Sequence, residues 1–181
     1  MFYKMVLKDV IRIDPSLFGY PLEESAVKEL NNKYVGYVSQ DLGIVIAVGD
    51  LLEISEGKIL PEDGGTYHKV TFELFTFVPK MKEVLMGVVR KVEEFGVFLD
   101  IGPIDGMIHI SQAMDDFVSF SKDGVLQGKE TKRTLSVGDI CKARIIAISF
   151  RDIENIKIGL TMRQPYLGRL DWIYSQEEGK Q

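Results

Sequence analysis

Two aromatic side chains and one imidazole fall where the chain alternates most clearly, and their types suit stacking more than catalysis. In EEFGVFLDI, Val97, Leu99 and Ile101 point to one side of a strand while Phe98 and Asp100 take the other. Gly96 permits a local bulge or bend that brings Phe95 round to the surface carrying Phe98. In GMIHIS the same parity sends Ile108 and Ile110 inward and leaves Met107 and His109 outward. Phe95, Phe98 and His109 on one face form a platform on which bases of single-stranded RNA can lie flat, at about 1 to 3 kcal/mol each. Basic residues nearby would meet phosphates.

Material for other chemistry is scarce. The chain has two histidines, His68 and His109, and one cysteine, Cys141, with no CxxC, HExxH or phosphate-cradling glycine loop. No metal site, cofactor or nucleophilic triad is expected. His68 lies beside a glycine-rich turn and reads as a surface residue, and Cys141, on the alternating strand ICKARIIAI, reads as core. The acidic pairs Glu93 with Glu94 and Asp115 with Asp116 read as solvated charge, because strand neighbours point to opposite faces. PEDGGTYH joins two strands, its glycines supplying the positive φ angles of a tight tip.

The elements that position these residues can be read along the 181-residue chain. Phe2 to Ile13 is a strand stopped by Asp14 and Pro15. A helix follows, with Pro21 at its first position, Glu23 and Glu24 near its positive end, and Leu22, Ala26, Val27, Leu30 and Tyr34 along one face. Gly36 ends it, and strands run from there to KVTFELFTFVP. Residues 1–81 thus form a small α+β unit, a helix on an antiparallel sheet. Residues 82–181 form an all-β barrel: two strands and the start of a third from Gly87 to Ser111, another in VGDICKARIIAI, and a closing strand in IKIGLTMRQ. The polar stretch from Ala113 to Ser136 is a surface excursion with short strands, its tip open to disorder. QPYLGRLDWI offers a short helix with Leu167, Leu170, Trp172 and Ile173 as its apolar residues. The short linker implies two domains in fixed orientation with a groove along their junction.

Net charge is -5, which argues against a free-standing protein that grips nucleic acid through bulk electrostatics. Residues 1–81 hold 8 basic and 12 acidic side chains, whereas residues 82–165 hold 12 of each, so nucleic acid belongs with the second half. The longest apolar runs, such as GIVIAV, fall far short of the ~20 residues of a membrane helix, and a single cysteine fits a reducing, cytoplasmic setting.

The stretch GVVRKVEEFGVFLDIGPIDGMIHIS resembles the S1 domain, an OB-fold barrel. That resemblance places the usual RNA contacts on Phe95, Phe98, His109 and, across the longer turn RDIEN, Lys157. An acidic residue commonly precedes that turn; here only Ser149 and Phe150 stand before Asp152, and the position is not carried over. Taken with YKMVLKDVIRIDPSLFGYPLEES, PEDGGTYHKVTFELFTFVP and IGLTMRQPYLGRLDWI, nearly the whole chain is similar to the E-prime family of archaeal DNA-directed RNA polymerase, counterpart of the seventh subunit of eukaryotic RNA polymerase II. The resemblance implies a non-catalytic stalk subunit, built as a truncated RNP-like domain followed by an S1 domain and paired with the smaller F subunit of the RNA polymerase as a heterodimer. Its docking tip on the polymerase core, near the clamp, would be Pro61, Glu62, Asp63, Gly64, Gly65 and Thr66. Nascent single-stranded RNA would cross the barrel face, with effects on open-complex formation, elongation and termination. The F subunit would occupy the junction groove, near Phe2, Leu85 and Trp172. The alternative is a free-standing S1-domain translation or RNA-decay factor, which would be expected to carry a basic excess or a catalytic domain.

Overall fold

Asp14 ends the first strand, β1 (Phe2–Ile13), by folding its side chain back to accept the Ser16 N–H at 3.0 Å, and Pro15 opens a single 3-10 turn. The computed structural model describes residues 1–121, 124–150 and 156–178, in two compact units, Met1–Val78 and Pro79–Gln181.

In the first unit, α1 (Leu22–Tyr34) begins just after Pro21, so Pro21 caps the helix from outside rather than occupying its first turn. The buried face is Ser25, Ala26 and Leu30, while Leu22 stands 44% exposed, outside the expected stripe. The reason is a tether. The Ser25 hydroxyl donates to the Leu17 carbonyl at 3.0 Å, which turns that polar position inward. At the other end Gly36, with φ +82°, takes the left-handed conformation that stops the helix. The sheet adds β2 (Val38–Ser39), β3 (Gly43–Ile54), β4 (Lys58–Ile59) and β5 (Thr66–Phe77) in the antiparallel order β1-β5-β3-β2, with β4 on β5. Ile11, Ile13, Val70, Phe72 and Leu74 pack with Ala26 and Leu30 to make the core.

The second unit opens with β6 (Val84–Glu93), β7 (Gly96–Asp100) and β8 (Asp105–His109), then the single turn α2 (Ile110–Ala113). Ile110 leaves the strand there and is only half-buried, because the parity that would have sent it inward ends at His109. A small separate sheet follows, β9 (Val118–Ser121), β10 (Val125–Gly128) and β11 (Thr134–Leu135); Lys122 and Asp123, within the expected excursion, lie outside the described residues. The chain returns through β12 (Ile140–Ser149) and β13 (Lys157–Thr161), then β14 (Gly168–Arg169) and α3 (Leu170–Glu178).

Strands β13-β8-β7-β6-β12 form a closed barrel because β12 also pairs with β13, and β8 with β13 is its one parallel pair among the described residues. The interior is filled by Val89, Val97, Leu99, Ile108, Ala143, Ile145, Ile158 and Leu160, with Cys141 among them at 0% exposure. Two bulges break the alternation. Arg90 is the extra residue of β6 against β7, and Ile146 that of β12 against β13. At the carboxy-terminal end Ile173 is buried, and the Trp172 ring lies under the Arg133 guanidinium at 5.5 Å.

The glycines of β6 and β7 serve close packing. A Cβ at Gly96 would lie 2.2 Å from the Ile108 carbonyl oxygen, and one at Gly87 would lie 2.3 Å from that of Asp100. Backbone cannot retreat as a side-chain tip can. Gly96→Ala is therefore expected to destabilise the barrel by about 1 to 3 kcal/mol, read as a lower denaturation midpoint; an unchanged midpoint would mean that β7 and β8 do not approach so closely.

Asp116 ties the start of β9 to the turn between β10 and β11. Its carboxylate accepts from the Thr131 N–H and hydroxyl, each at 2.8 Å, and from the Glu130 and Phe117 N–H groups. The Thr131 N–H foremost, with the other donors against a smaller opposing effect of burial, holds the carboxyl down at about 2. A carboxyl depressed below its unfolded value of about 3.9 contributes stability that is full above that pH and is lost as pH falls through about 2. An NMR titration of Asp116 should show a midpoint near 2, and an ordinary midpoint would remove this anchor.

Candidate nucleic-acid interface

The β6–β7 hairpin turns through two residues, Glu94 and Phe95, since Glu93 pairs directly with Gly96. This tight turn carries Phe95 to the outer face, and the bulge of the hairpin lies at Arg90 rather than at Gly96. The Phe95 carbonyl accepts the Ile110 N–H at 2.9 Å, which fixes the turn against the end of β8. Phe95 stands 49% exposed, and its ring meets that of Phe98 edge-on, centroids 6.0 Å apart and planes at 87°. Val97 and Leu99 are fully buried on the opposite side.

His109 sits directly across from Gly96 and is exposed. Its Nδ1 accepts the Ser111 N–H at 3.2 Å and lies 2.8 Å from the Ser111 hydroxyl. With Nδ1 engaged by Ser111, Nε2 is the ring nitrogen left for another partner. Phe98 pairs with Met107 on the next strand. Beyond them, a groove of about 570 Å³ is walled by Phe98, Met107, Ile104, Lys157 and Arg90. Lys157 is exposed at the start of β13. The structure thus brings Phe95 to Phe98, sets His109 beside that pair's turn, and joins Phe98 to Lys157 through the groove. The turn 151–155, with Asp152, lies outside the described residues.

Arg90 is the member that alternation could not find. As the extra residue of a bulge it escapes strand parity, and its guanidinium reaches Asp105 at 3.2 Å and Asp100 at 3.5 Å. The only signal in the sequence was the apolar spacing itself: Val89 and Val92 are both buried three positions apart, which an uninterrupted strand does not allow.

The tip of the first unit is organised by one carboxylate. Asp63 accepts from Arg12 Nε at 2.9 Å and Nη2 at 2.7 Å, from the Gly65 N–H at 2.9 Å, and from the Tyr67 hydroxyl at 2.5 Å. Arg12, then Tyr67, then the Gly65 N–H hold the Asp63 carboxyl well below the usual carboxylate range, and the same contact raises the Arg12 guanidinium. Left-handed φ at this turn belongs to Glu62, at 69°, and to neither glycine. Space is what Gly65 supplies. A Cβ there would lie 2.9 Å from the Arg12 guanidinium, which covers it. Pro61, Glu62 and Gly64 are exposed, Asp63 and Thr66 half-buried, and the adjoining Ile59 and Leu60 stand 74% and 48% exposed.

His68 is not at the surface: it is 4% exposed. Its Nδ1 donates to the Ser55 carbonyl and its Nε2 accepts from the Thr66 hydroxyl, both at 2.9 Å, so the ring fills the space under Gly57 as a satisfied core group. Burial, with the Asp139 charge second, pushes the Cys141 thiol up to about 12. The acidic pairs are not simply solvated. Glu93 pairs with Lys91, Asp115 with Arg163, and Asp116 with the backbone described above. Among the described residues no group of three or more His, Cys, Asp or Glu is placed to hold a metal ion, and no helix is long and apolar enough to cross a membrane.

Residues 8–64 match the family model described as the SHS2 domain found in the N terminus of Rpb7p/Rpc25p/MJ0397. Residues 78–156 match the S1 RNA binding domain. The chain is 40% identical over 174 residues to DNA-directed RNA polymerase subunit Rpo7 of Saccharolobus shibatae, covering 94% of this chain and 97% of that protein. It is 39% identical over 181 residues to subunit Rpo7 of Sulfolobus acidocaldarius, covering 99% and 98% respectively. With DNA-directed RNA polymerase III subunit rpc8 of Schizosaccharomyces pombe it shares 34% identity over 123 residues, 68% of this chain and 61% of that protein. An SHS2 domain followed by an S1 barrel, matched almost end to end at this identity, places the chain in the DNA-directed RNA polymerase subunit Rpo7 family.

Proposed function

We propose that this chain is the non-catalytic stalk subunit of an archaeal DNA-directed RNA polymerase, working in the cytoplasm, and that its barrel guides emerging single-stranded RNA across Phe95, Phe98, His109 and Lys157. The observation that carries the reading is the ring pair beside His109, backed by a groove that ends at Lys157. Stacking on outward-facing rings tolerates any base, and an imidazole with one lysine adds contact without a strong grip. That combination suits a strand that must keep moving. The chain pairs with the polymerase's F subunit as a heterodimer.

The tip from Pro61 to Thr66 docks on the polymerase core near the clamp, and through it the chain assists open-complex formation, elongation and termination. Asp63 and Arg12 preorganise that tip, so little order has to be gained on contact. Apolar Ile59 and Leu60, exposed beside it, suit a protein partner better than a phosphate backbone. The acidic balance of residues 1–81 agrees.

Phe98→Ala combined with His109→Ala is expected to lower RNA crosslinking to the barrel about tenfold or more, with heterodimer assembly intact; undiminished crosslinking would remove the platform. At the tip, Gly65→Val displaces Arg12 from Asp63. It should cut recruitment to the polymerase core about fivefold or more while RNA binding by the heterodimer is unchanged, and normal recruitment would exclude the tip as the docking element.

A further inference from the structure

Beyond the His109 end of the face lies a second hollow that the platform does not use. It has a volume of about 400 Å³, in the range of small-ligand sites, and its lining includes Ser111, Asp115, Asp116, Phe117, Glu130 and Arg163. Ser111 joins it to the face: its hydroxyl meets His109 Nδ1, and the residue also lines the hollow.

Phe117 is the unusual member. Its N–H donates to Asp116 at 2.5 Å and its carbonyl accepts the Lys129 N–H at 2.8 Å, so its backbone is held from both sides. Yet the residue stands 74% exposed. An uncovered ring on an anchored backbone is available for stacking. The carboxylates differ in availability. Asp116 has its acceptor positions filled by backbone and Thr131, whereas Asp115 has a side chain 76% exposed and meets Arg163 Nε at 3.0 Å. A carboxylate beside a guanidinium offers an acceptor next to a donor, the complement of a base edge that shows an amino group next to a ring acceptor. The same carboxylate repels phosphate.

We propose that this hollow takes one unstacked nucleobase of the RNA lying on the barrel face, stacked on Phe117 and read at its edge by Asp115 and Arg163, with amino-bearing bases preferred over uracil. The site rests on the RNA-guiding reading above and adds a preference to an otherwise base-tolerant track. Cytosine fits the edge, presenting its exocyclic amine to Asp115 and its ring acceptor to Arg163. Uracil presents a carbonyl where the amine would stand, so Asp115 is left facing an acceptor.

The test measures binding of the full chain to labelled oligocytidylate and oligouridylate of equal length by fluorescence anisotropy, with the variants Phe117→Ala, Asp115→Ala and Phe98→Ala. Phe117 and Asp115 are exposed, and circular dichroism checks that each variant folds. The expected result is a cytidine preference of about tenfold, abolished by Asp115→Ala, with Phe117→Ala weakening oligocytidylate about tenfold. If Phe98→Ala weakens binding while the other two variants change nothing, the nucleobase site is overturned and the platform stands. If Phe98→Ala also has no effect and neither oligonucleotide is favoured, the RNA face itself is wrong and this site falls with it.

Discussion

Closure of the barrel is the constraint on which the second unit depends. Five strands with a polar outside and an apolar inside can bury their edges only if the last strand meets both an antiparallel and a parallel neighbour, as β13 does with β12 and β8. Bringing the strands that near leaves no room for a Cβ at Gly87 or Gly96. The tight hairpin and the end of β8 are thereby held together, and the outer rings and His109 inherit a rigid mount. The face is precise because the backbone beneath it is crowded.

Alternation made most of this visible beforehand. Val97, Leu99 and Ile108 faced inward as parity required, and Phe98 and His109 faced outward. Parity failed at defects it cannot register. The bulge at Arg90 shifted one side chain onto the face, the end of β8 released Ile110, and the bulge at Ile146 left an isoleucine 42% exposed in a strand otherwise alternating. A bulge is a cooperative property of two strands in register, and one strand read alone does not contain it.

Glycine was harder to interpret than apolar spacing. At Gly36 its conformational freedom was the correct reason for its presence. At the tip, Glu62 adopts the left-handed backbone instead, and Gly65 makes room for a guanidinium contributed by a strand 53 positions away in sequence. His68 misled for a related reason: what buries it is Ser55 and Gly57 from a neighbouring loop, and no local pattern records that contact. Long-range polar contacts between ordinary residues were the part of both sites least legible from the sequence.

The ion pairs along the barrel have a consequence of a different kind. Arg90 lies between Asp100 and Asp105, Lys91 is matched by Glu93, and Arg163 by Asp115. Each of these cations is already neutralised by the protein, so an RNA strand on the face would displace few condensed counterions. Its hold would then depend only weakly on ionic strength. A face of that kind keeps the same light contact as the salt content of its surroundings varies, and it offers little attraction to the bulk of duplex nucleic acid around it.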